Sequence, residues 1–353
     1  PEFSGGWESV RLGDVCKFFS GGTPSSTNKD FYDGDIPFIR SGEIHSSSTE
    51  LYISEAGLNS SSAKIIEQGD LLLALYGATS GDIAISKIKG AINQAILCIR
   101  TNHDNFFLKS CWEKHCEKLL QTYLQGGQGN LSAEIVKSIK MSFPSYLEQK
   151  KISGLLSLIE ERISTQKKII EKYESLIRGL CEQLTRQGTK NKAINECLDC
   201  HTSTLQESTV SGTGEYPVYG ATGVCGYTNF NDVKDDGILI IKDGASVGTT
   251  YYARGYYSHI GTLNRLTARK GVNLRYVYYC LKVMNFAPYK TGLAIPHIYF
   301  KDYGKHRIWC PSYEEQLHIA NILTQIDDKI HVEKSLLEQL NSQKRYMLNQ
   351  LFI

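Results

Sequence analysis

Pro144-Ser145-Tyr146-Leu147-Glu148-Gln149 recurs 167 positions on as Pro311-Ser312-Tyr313-Glu314-Glu315-Gln316, and each copy opens a long run free of proline. Ser145 with Glu148, and Ser312 with Glu315, spell S-x-x-E, the spacing of a helix N-terminus. There the serine accepts from an early backbone N–H and the glutamate reaches back to the cap. The run after it steps by four and three residues alternately, which keeps one narrow apolar stripe on one face. The first stripe reads Ile152, Leu156, Ile159, Ile163, Gln166, Ile170, Tyr173, Ile177, Leu180, Leu184. The second reads Ile319, Leu323, Ile326, Ile330, Glu333, Leu337, Leu340, Lys344, Met347, Leu351. Each predicted helix has about 40 residues and a length of about 60 Å. Gln166 and Glu333 hold the same place in the two stripes, and a polar residue in a seam fixes register at some cost in stability. The spacing predicts that the helices pair with each other as an intramolecular antiparallel coiled coil. A helix lying on its own globular domain is the alternative.

The same offset extends beyond the helices. Gly77-Ala78-Thr79-Ser80-Gly81 falls on Gly244-Ala245-Ser246-Val247-Gly248, and Asn130-Leu131 on His297-Ile298. A shifted match joins Ile36-Pro37-Phe38-Ile39 to Tyr216-Pro217-Val218-Tyr219. Several matches in one order indicate duplicated halves with a pseudo-two-fold internal repeat. The stretches between the helices carry short β-like runs, such as Asp70-Leu71-Leu72-Leu73-Ala74-Leu75 and Gly237-Ile238-Leu239-Ile240-Ile241, each followed by a Gly-rich turn. Short helices are expected over 104–124 and 273–285. The fold class is therefore α+β: two globular regions, each with a curved and mostly antiparallel sheet, alternating with the two long helices. The expected divisions are 1–143 and 187–310 for the globular regions, and 144–186 and 311–353 for the helices. Residues 1–6 read as a cloning remnant and are left out of the fold.

Composition bounds the function. The chain has 353 residues with 41% hydrophobic and 22% charged residues, ordinary for a globular protein. Net charge is +2 and the sequence pI is about 8.1, which excludes a basic tail protein but allows a local basic face. No apolar run approaches the roughly 20 residues of a membrane helix. No charged-then-apolar leader opens the chain, so a cytoplasmic protein with reduced thiols is expected. Cys197-Leu198-Asp199-Cys200-His201 has the C-x-x-C-H form of a haem attachment site, but that chemistry belongs outside the cytosol. Neither that cluster nor Cys111, His115 and Cys116 completes a zinc site, and no metal is expected.

Catalytic motifs are absent from the sequence. There is no G-x-x-x-x-G-K-[ST] phosphate loop and no G-x-G-x-x-G after a strand. There is no Pro-Pro step, hence no amino-methyltransferase loop. Glu148-Gln149-Lys150 mimics part of a nuclease site but lies in the first turn of a helix. No G-x-S-x-G elbow or H-E-x-x-H occurs.

The two P-S-x-x-E-Q helices and the G-A-T/S-x-G loop after an apolar strand resemble type I restriction–modification specificity subunits. So do Trp7-x-x-Val10-x-Leu12-Gly13-Asp14-Val15, Ser20-Gly21-Gly22-Thr23-Pro24 and Ile36-Pro37-Phe38-Ile39-Arg40. Tyr216-Pro217-Val218-Tyr219-Gly220-Ala221-Thr222-Gly223 and Ala294-Ile295-Pro296-His297-Ile298 are similar to the second half of such chains. One departure is Ile194-Asn195-Glu196-Cys197-Leu198-Asp199-Cys200, a poor copy of the L-G-D-V opening.

The resemblance implies two target recognition domains, each reading half of a bipartite, asymmetric site in double-stranded DNA. The paired helices would set the half-site spacing and dock two methyltransferase subunits, which restriction/translocase subunits would join. S-adenosylmethionine, ATP and magnesium would belong to those partners, and this chain would do no chemistry. Self-association of the isolated chain stays open. The residues by themselves also allow a scaffold with two ligand-binding domains on a coiled coil and no DNA.

Phosphate contacts need a basic face. The candidates are Lys17, Lys29, Arg40, Lys87 and Lys89, then Lys242, Arg254, Arg265, Arg269 and Lys290. Base reading needs adaptable donors and acceptors near a groove. Ser20, Thr23, Tyr76, Thr79, Ser80 and Gln128 fit that need in the first region, and Tyr219, Thr222, Lys242, Ser246 and His297 in the second.

Overall fold

The structure is a computed structural model and describes residues 6–123, 131–231, 233–292 and 295–352. Among the described residues, the helices of nine residues or more are α1 (Asn105–Tyr123), α2 (Tyr146–Leu184), α3 (Leu274–Lys282) and α4 (Tyr313–Leu351). The two long helices, α2 and α4, have 39 residues each. The chain forms two compact units, Pro1–Thr165 with Leu337–Ile353, and Gln166–Leu336. Each long helix is thus shared between the units, where the sequence order suggested domain, helix, domain, helix. The seam is the physical reason, because antiparallel partners bring the end of one helix to the start of the other. In the first unit Ile159 and Ile163 bury against Leu340, with Leu337 packed beside them. In the second, Gln166 Nε2 donates to the Glu333 backbone carbonyl at 3.0 Å and to its carboxylate.

The single curved sheet expected in each region is replaced by three smaller ones. In the first unit, Cys16–Ser20, Ile96–Thr101, Leu71–Ala74 and Ile83–Ile85 lie side by side, all antiparallel. Beside them, Leu51–Ile53, Tyr32–Ile39, Gly90–Ile92 and Lys64–Ile66 form a second sheet, in which Phe38 and Ile39 run parallel to Ala91 and Ile92. Glu8–Arg11 pairs with Lys140–Phe143. The second unit repeats the plan. Leu198–Thr202, Leu263–Ala268, Gly237–Ile241 and Thr250–Ala253 make the antiparallel sheet. Gly223–Thr228, Tyr216–Gly220 and Ser258–His259 make the mixed one, and Lys192–Ala193 pairs with Arg307–Ile308. Apolar runs without alternation are what allow a split sheet. Leu71–Ala74 and Gly237–Ile241 are buried on both faces, so each central strand supports two cores.

The repeated helix start works differently from a capping box. Ser145 Oγ accepts from Glu148 N at 3.4 Å and Ser312 Oγ from Glu315 N at 3.3 Å. Among the described residues neither glutamate returns the bond. The buried glutamine after each one carries the load. Gln149 Oε1 accepts from Asp104 N at 3.0 Å while Nε2 donates to the Pro144 carbonyl at 2.9 Å. Gln316 accepts from Asn273 N at 2.9 Å and donates to the Pro311 carbonyl at 2.8 Å. Asp104 and Asn273 in turn cap α1 and α3, accepting from Phe107 N and Tyr276 N. Each glutamine therefore ties a long helix to the short helix of its own unit.

The described seam residues are buried or half-buried. Ile152 and Leu156 join the first unit's main core, and Ile319, Leu323 and Ile330 the second's, with Tyr173 and Ile326 packed at its edge. Ile170 is buried on the same stripe. Lys344, polar within the seam, sits between Glu160 at 2.6 Å and Glu113 at 2.8 Å. Glu160 also takes Lys109 of α1 at 2.7 Å. Burial alone pushes the Glu160 carboxyl up, but Lys109 and Lys344 outweigh it and hold it below its ordinary value. A depressed folded-state pKa adds stability above the unfolded value of roughly 4.3 and loses it as pH falls below. Glu160→Gln is therefore expected to cost about 2 kcal/mol at neutral pH, because buried Lys109 and half-buried Lys344 are then left to share Glu113. The gap from wild type should narrow in urea melts between pH 7 and about pH 3. A gap that is the same at both pH values would refute the assignment.

Candidate nucleic-acid interface

Both candidate loops leave the end of a doubly buried strand, and the backbone holds them identically. Ala74 N bonds to Asp82 O at 2.8 Å, as Ile241 N does to Thr249 O at 2.9 Å. Gly81 N returns to Ala74 O and Gly248 N to Ile241 O. Leu131 N reaches Leu75 O, as Ile298 N reaches Lys242 O. Every one of these pairs differs by 167 positions. The turns need glycine, since Gly77, Gly81, Gly244 and Gly248 have φ of 84°, 87°, 101° and 94°.

The side chains on this common frame differ. In the first unit, Thr23 Oγ1 donates to Gln94 Oε1 at 2.6 Å and Tyr76 OH donates to the Gln94 carbonyl. Gly21 N and Gly22 N bond to Asn93 O and Ile92 O, which sets Ser20 and Thr23 beside that strand end. Thr79 and Ser80 occupy the Gly-rich turn, with Ser80 Oγ spent on the Leu75 carbonyl. Next to it, His45 Nε2 lies 2.9 Å from both Asp82 oxygens and Lys87 Nζ donates to the His45 carbonyl at 2.7 Å. The structure thus gathers Ser20, Thr23, Tyr76, Thr79 and Ser80. Gln94, missed in the sequence, joins two of them; its exposed position beside Asn93 at a strand start is the only signal it gives. Gln128 lies outside the described residues.

In the second unit, His297 Nδ1 sits 2.7 Å from Asp243 Oδ1, and Gly244 N bonds to the Pro296 carbonyl. This brings His297 to the turn bearing Ser246. Lys242, half-buried at its base, has no hydrogen bond or ion pair from its side chain to the described residues. Thr222 is exposed on a neighbouring hairpin, held by Tyr251 OH donating to the Ala221 carbonyl at 3.0 Å. Tyr219 is half-buried, its ring edge-on to Tyr257 at 5.8 Å, and burial pushes its phenol up. Asp243 and Tyr251 are the positioning residues that spacing did not reveal.

Several cationic candidates have partners within the chain. Arg40 pairs with Glu43 at 3.0 Å and with exposed Glu50 at 2.7 Å. Burial alone would raise the Glu43 carboxyl, but Arg40 and two backbone N–H groups hold it at about 2. Arg254 follows the strand Thr250–Ala253 at the end paired with Gly237, opposite the Ile241 end from which the loop leaves. There it meets Asp328 of α4 at 3.3 Å. Arg265 faces Leu239 in mid-sheet, its Nε donating to Tyr257 OH at 3.1 Å. Lys89 and Arg269 pair with Glu67 and Asp199.

Of the cations traced above, Lys242 is thus the one whose side chain has no hydrogen bond or ion pair among the described residues. Lys242→Gln should weaken DNA binding about equally for all sequences and lower the salt slope by about 1. A slope identical to wild type in salt-dependent titrations would remove it from the interface.

Among the described residues no group of three or more His, Cys, Asp or Glu is placed to hold a metal, and no helix is long and apolar enough to cross a membrane. Cys200 and His201 lie on an antiparallel strand, with the Cys200 thiol pushed up to about 11 by burial.

Comparisons with known proteins agree with this duplicated frame. The chain is 22% identical to the MjaVIII type I restriction enzyme specificity subunit of Methanocaldococcus jannaschii, over 98% of this chain and 92% of that one. It is 23% identical to the EcoprrI specificity subunit of Escherichia coli, over 91% and 87%. Among solved structures, the type I restriction–modification S subunit from M. genitalium shares the fold with a TM-score of 0.72 and 16% identity, covering 99% of this chain and 97% of that one. A chain from a study of complex assembly in the type I R-M system gives a TM-score of 0.55 at 17% identity, covering 100% and 99%. The family model for the type I restriction modification DNA specificity domain matches twice, at residues 4–175 and 189–342, so the chain belongs to that family.

Proposed function

We propose that the chain is the DNA-reading, non-catalytic subunit of a type I restriction–modification complex. Each unit reads one half of a bipartite, asymmetric site in double-stranded DNA. The carrying observation is the pairing of one backbone frame, repeated bond for bond at an offset of 167 positions, with unlike exposed side chains. A symmetric dimer repeats the same contacts and reads a palindrome. Thr23, Tyr76, Thr79 and Gln94 in one unit, against Ser246, Thr222 and His297 in the other, present different donors and acceptors to two half-sites. The α2 and α4 helices set the spacing, and their outer faces dock two methyltransferase subunits, to which restriction subunits add. The complex works in the cytoplasm. S-adenosylmethionine, ATP and magnesium act on the partner subunits.

Sequencing methylated bases in a host carrying this chain with its methyltransferase tests the function. The expected result is one motif with two unlike halves around a fixed spacer of unspecified bases. A continuous motif, a palindrome or no new methylation would overturn the proposal.

A further inference from the structure

The second unit contains a cavity of about 380 Å³ between Thr185–Lys190, the end of α3 and Arg307–Trp309. The equivalent place in the first unit is filled. Val10 faces Met141 in one terminal strand pair, and Lys192 faces Ile308 in the other. That register puts Thr189 where the first unit has Trp7, and the helix repeat puts Thr185 where it has Phe352. Trp7 and Phe352 lie 6.2 Å apart, ring to ring, and both stack near Phe107, at 5.8 and 5.2 Å. Thr185, in the place of the Phe352 ring, lines the volume left open. Trp309 forms one wall, its indole so close to Gly188 that a Cβ there would meet Nε1 at 2.2 Å.

The lining is one-sided in charge. Arg186, Lys190, His306 and Arg307 surround the cavity, and its lining contains no carboxylate. Arg186 and Arg307 each use one N–H on a backbone carbonyl, of Val283 and Asn191, and a guanidinium has five. His306 Nδ1 pairs with Tyr289 OH at 2.9 Å, leaving Nε2 for another group. Burial first, then Lys190 and Arg186, holds His306 below its ordinary pKa, as expected where cations crowd together. The remaining walls are flat or apolar: Tyr289, Trp309, Val283, Met284 and Pro288. Positive groups beside aromatic walls, in a volume within the range of small-molecule sites, suit an anion that carries a planar apolar group.

We propose that this cavity binds a nucleoside monophosphate, its phosphate on Arg186, Lys190 and Arg307 and its base between Tyr289 and the Trp309 wall. A bare phosphate would leave the apolar walls in water, and a bare nucleoside would leave the cations uncompensated.

Calorimetric titration of the full chain with adenosine monophosphate and with uridine monophosphate tests it. The expected result is one saturable site per chain, with the nucleotide at least about tenfold tighter than adenosine or inorganic phosphate. Arg186→Gln with Arg307→Gln should weaken it at least about tenfold, with duplex DNA affinity unchanged. Thr185→Phe, which restores the ring found in the first unit, should abolish binding. Lys190→Gln removes an exposed side chain without touching the core, and should weaken binding severalfold even if the other variants fail to fold. No saturable binding at millimolar nucleotide would overturn the proposal, as would phosphate or adenosine binding as tightly. Full affinity in Lys190→Gln, or complete displacement of the nucleotide by duplex DNA, would overturn it too.

Discussion

Gln149→Leu destabilises the first unit by about 3 kcal/mol, and Gln316→Leu does the same to the second. Each amide is 1% exposed and spans a junction, so the loss is more than one hydrogen bond. Leucine nearly matches the volume, which removes packing from the comparison. What remains is a backbone N–H, of Asp104 or Asn273, and a proline carbonyl, of Pro144 or Pro311, each left without its side-chain partner. A buried polar group stripped of its partner costs about 1–3 kcal/mol. In the first unit the Gln149 amide also lies 3.0 Å from His103 Nδ1, so its loss reaches a third group. Glu148→Gln and Glu315→Gln, next door, should change stability by less than about 0.5 kcal/mol, because neither carboxylate closes a capping box. Urea melts followed by hydrogen exchange at α1 and α3 separate the two junctions. If the glutamate variants cost as much as the glutamine ones, the capping box is the true anchor and the glutamine is incidental.

These glutamines show what was legible in the sequence. The P-S-Y-x-E-Q repeat located both long helices, because a 4–3 apolar rhythm over ten positions has few other solutions. It did not say which of its residues mattered. Ser and Glu have a known local pattern, whereas Asp104 and Asn273, which Gln149 and Gln316 hold, lie more than forty residues upstream. The Gly-rich turns were legible because left-handed backbone demands glycine at both ends of each. The division of each sheet was not, since Leu71–Ala74 reads the same whether one or two cores cover it. Arg40 and Arg265 read as unpaired cations because sequence shows a charge and not its partners. Glu43 and Glu50 claim the first, and Tyr257 the second. Gln94 was invisible for the opposite reason: it makes no pattern, and only the folding of Thr23 and Tyr76 against it gives it a place.

Adding one heptad beside Gln166 and one beside Glu333 should lengthen the spacer between the two half-sites while methylation persists. Seven residues are two turns, so the apolar stripe returns to the same face and the polar layer can re-form. The added rise is about 10 Å, or about three base-pair steps of DNA. A heptad in only one helix has the opposite outcome. Either the Gln166 and Glu333 side chains then face apolar neighbours, or Lys344 slips past Glu160 and Glu113, stranding charges that now neutralise each other. Pairing fails in one unit or the other, and methylation at every site should be lost. Five residues added to both helices serve as the control, because they lengthen the pair while turning the stripe by about 140°. That variant should behave like the single insertion despite its matched length. The spacer in the surviving methylated motif is the measurement, read beside circular dichroism to confirm that the helices are intact. A folded, matched heptad variant that methylates the original motif with its original spacer would show that the helices do not set the distance.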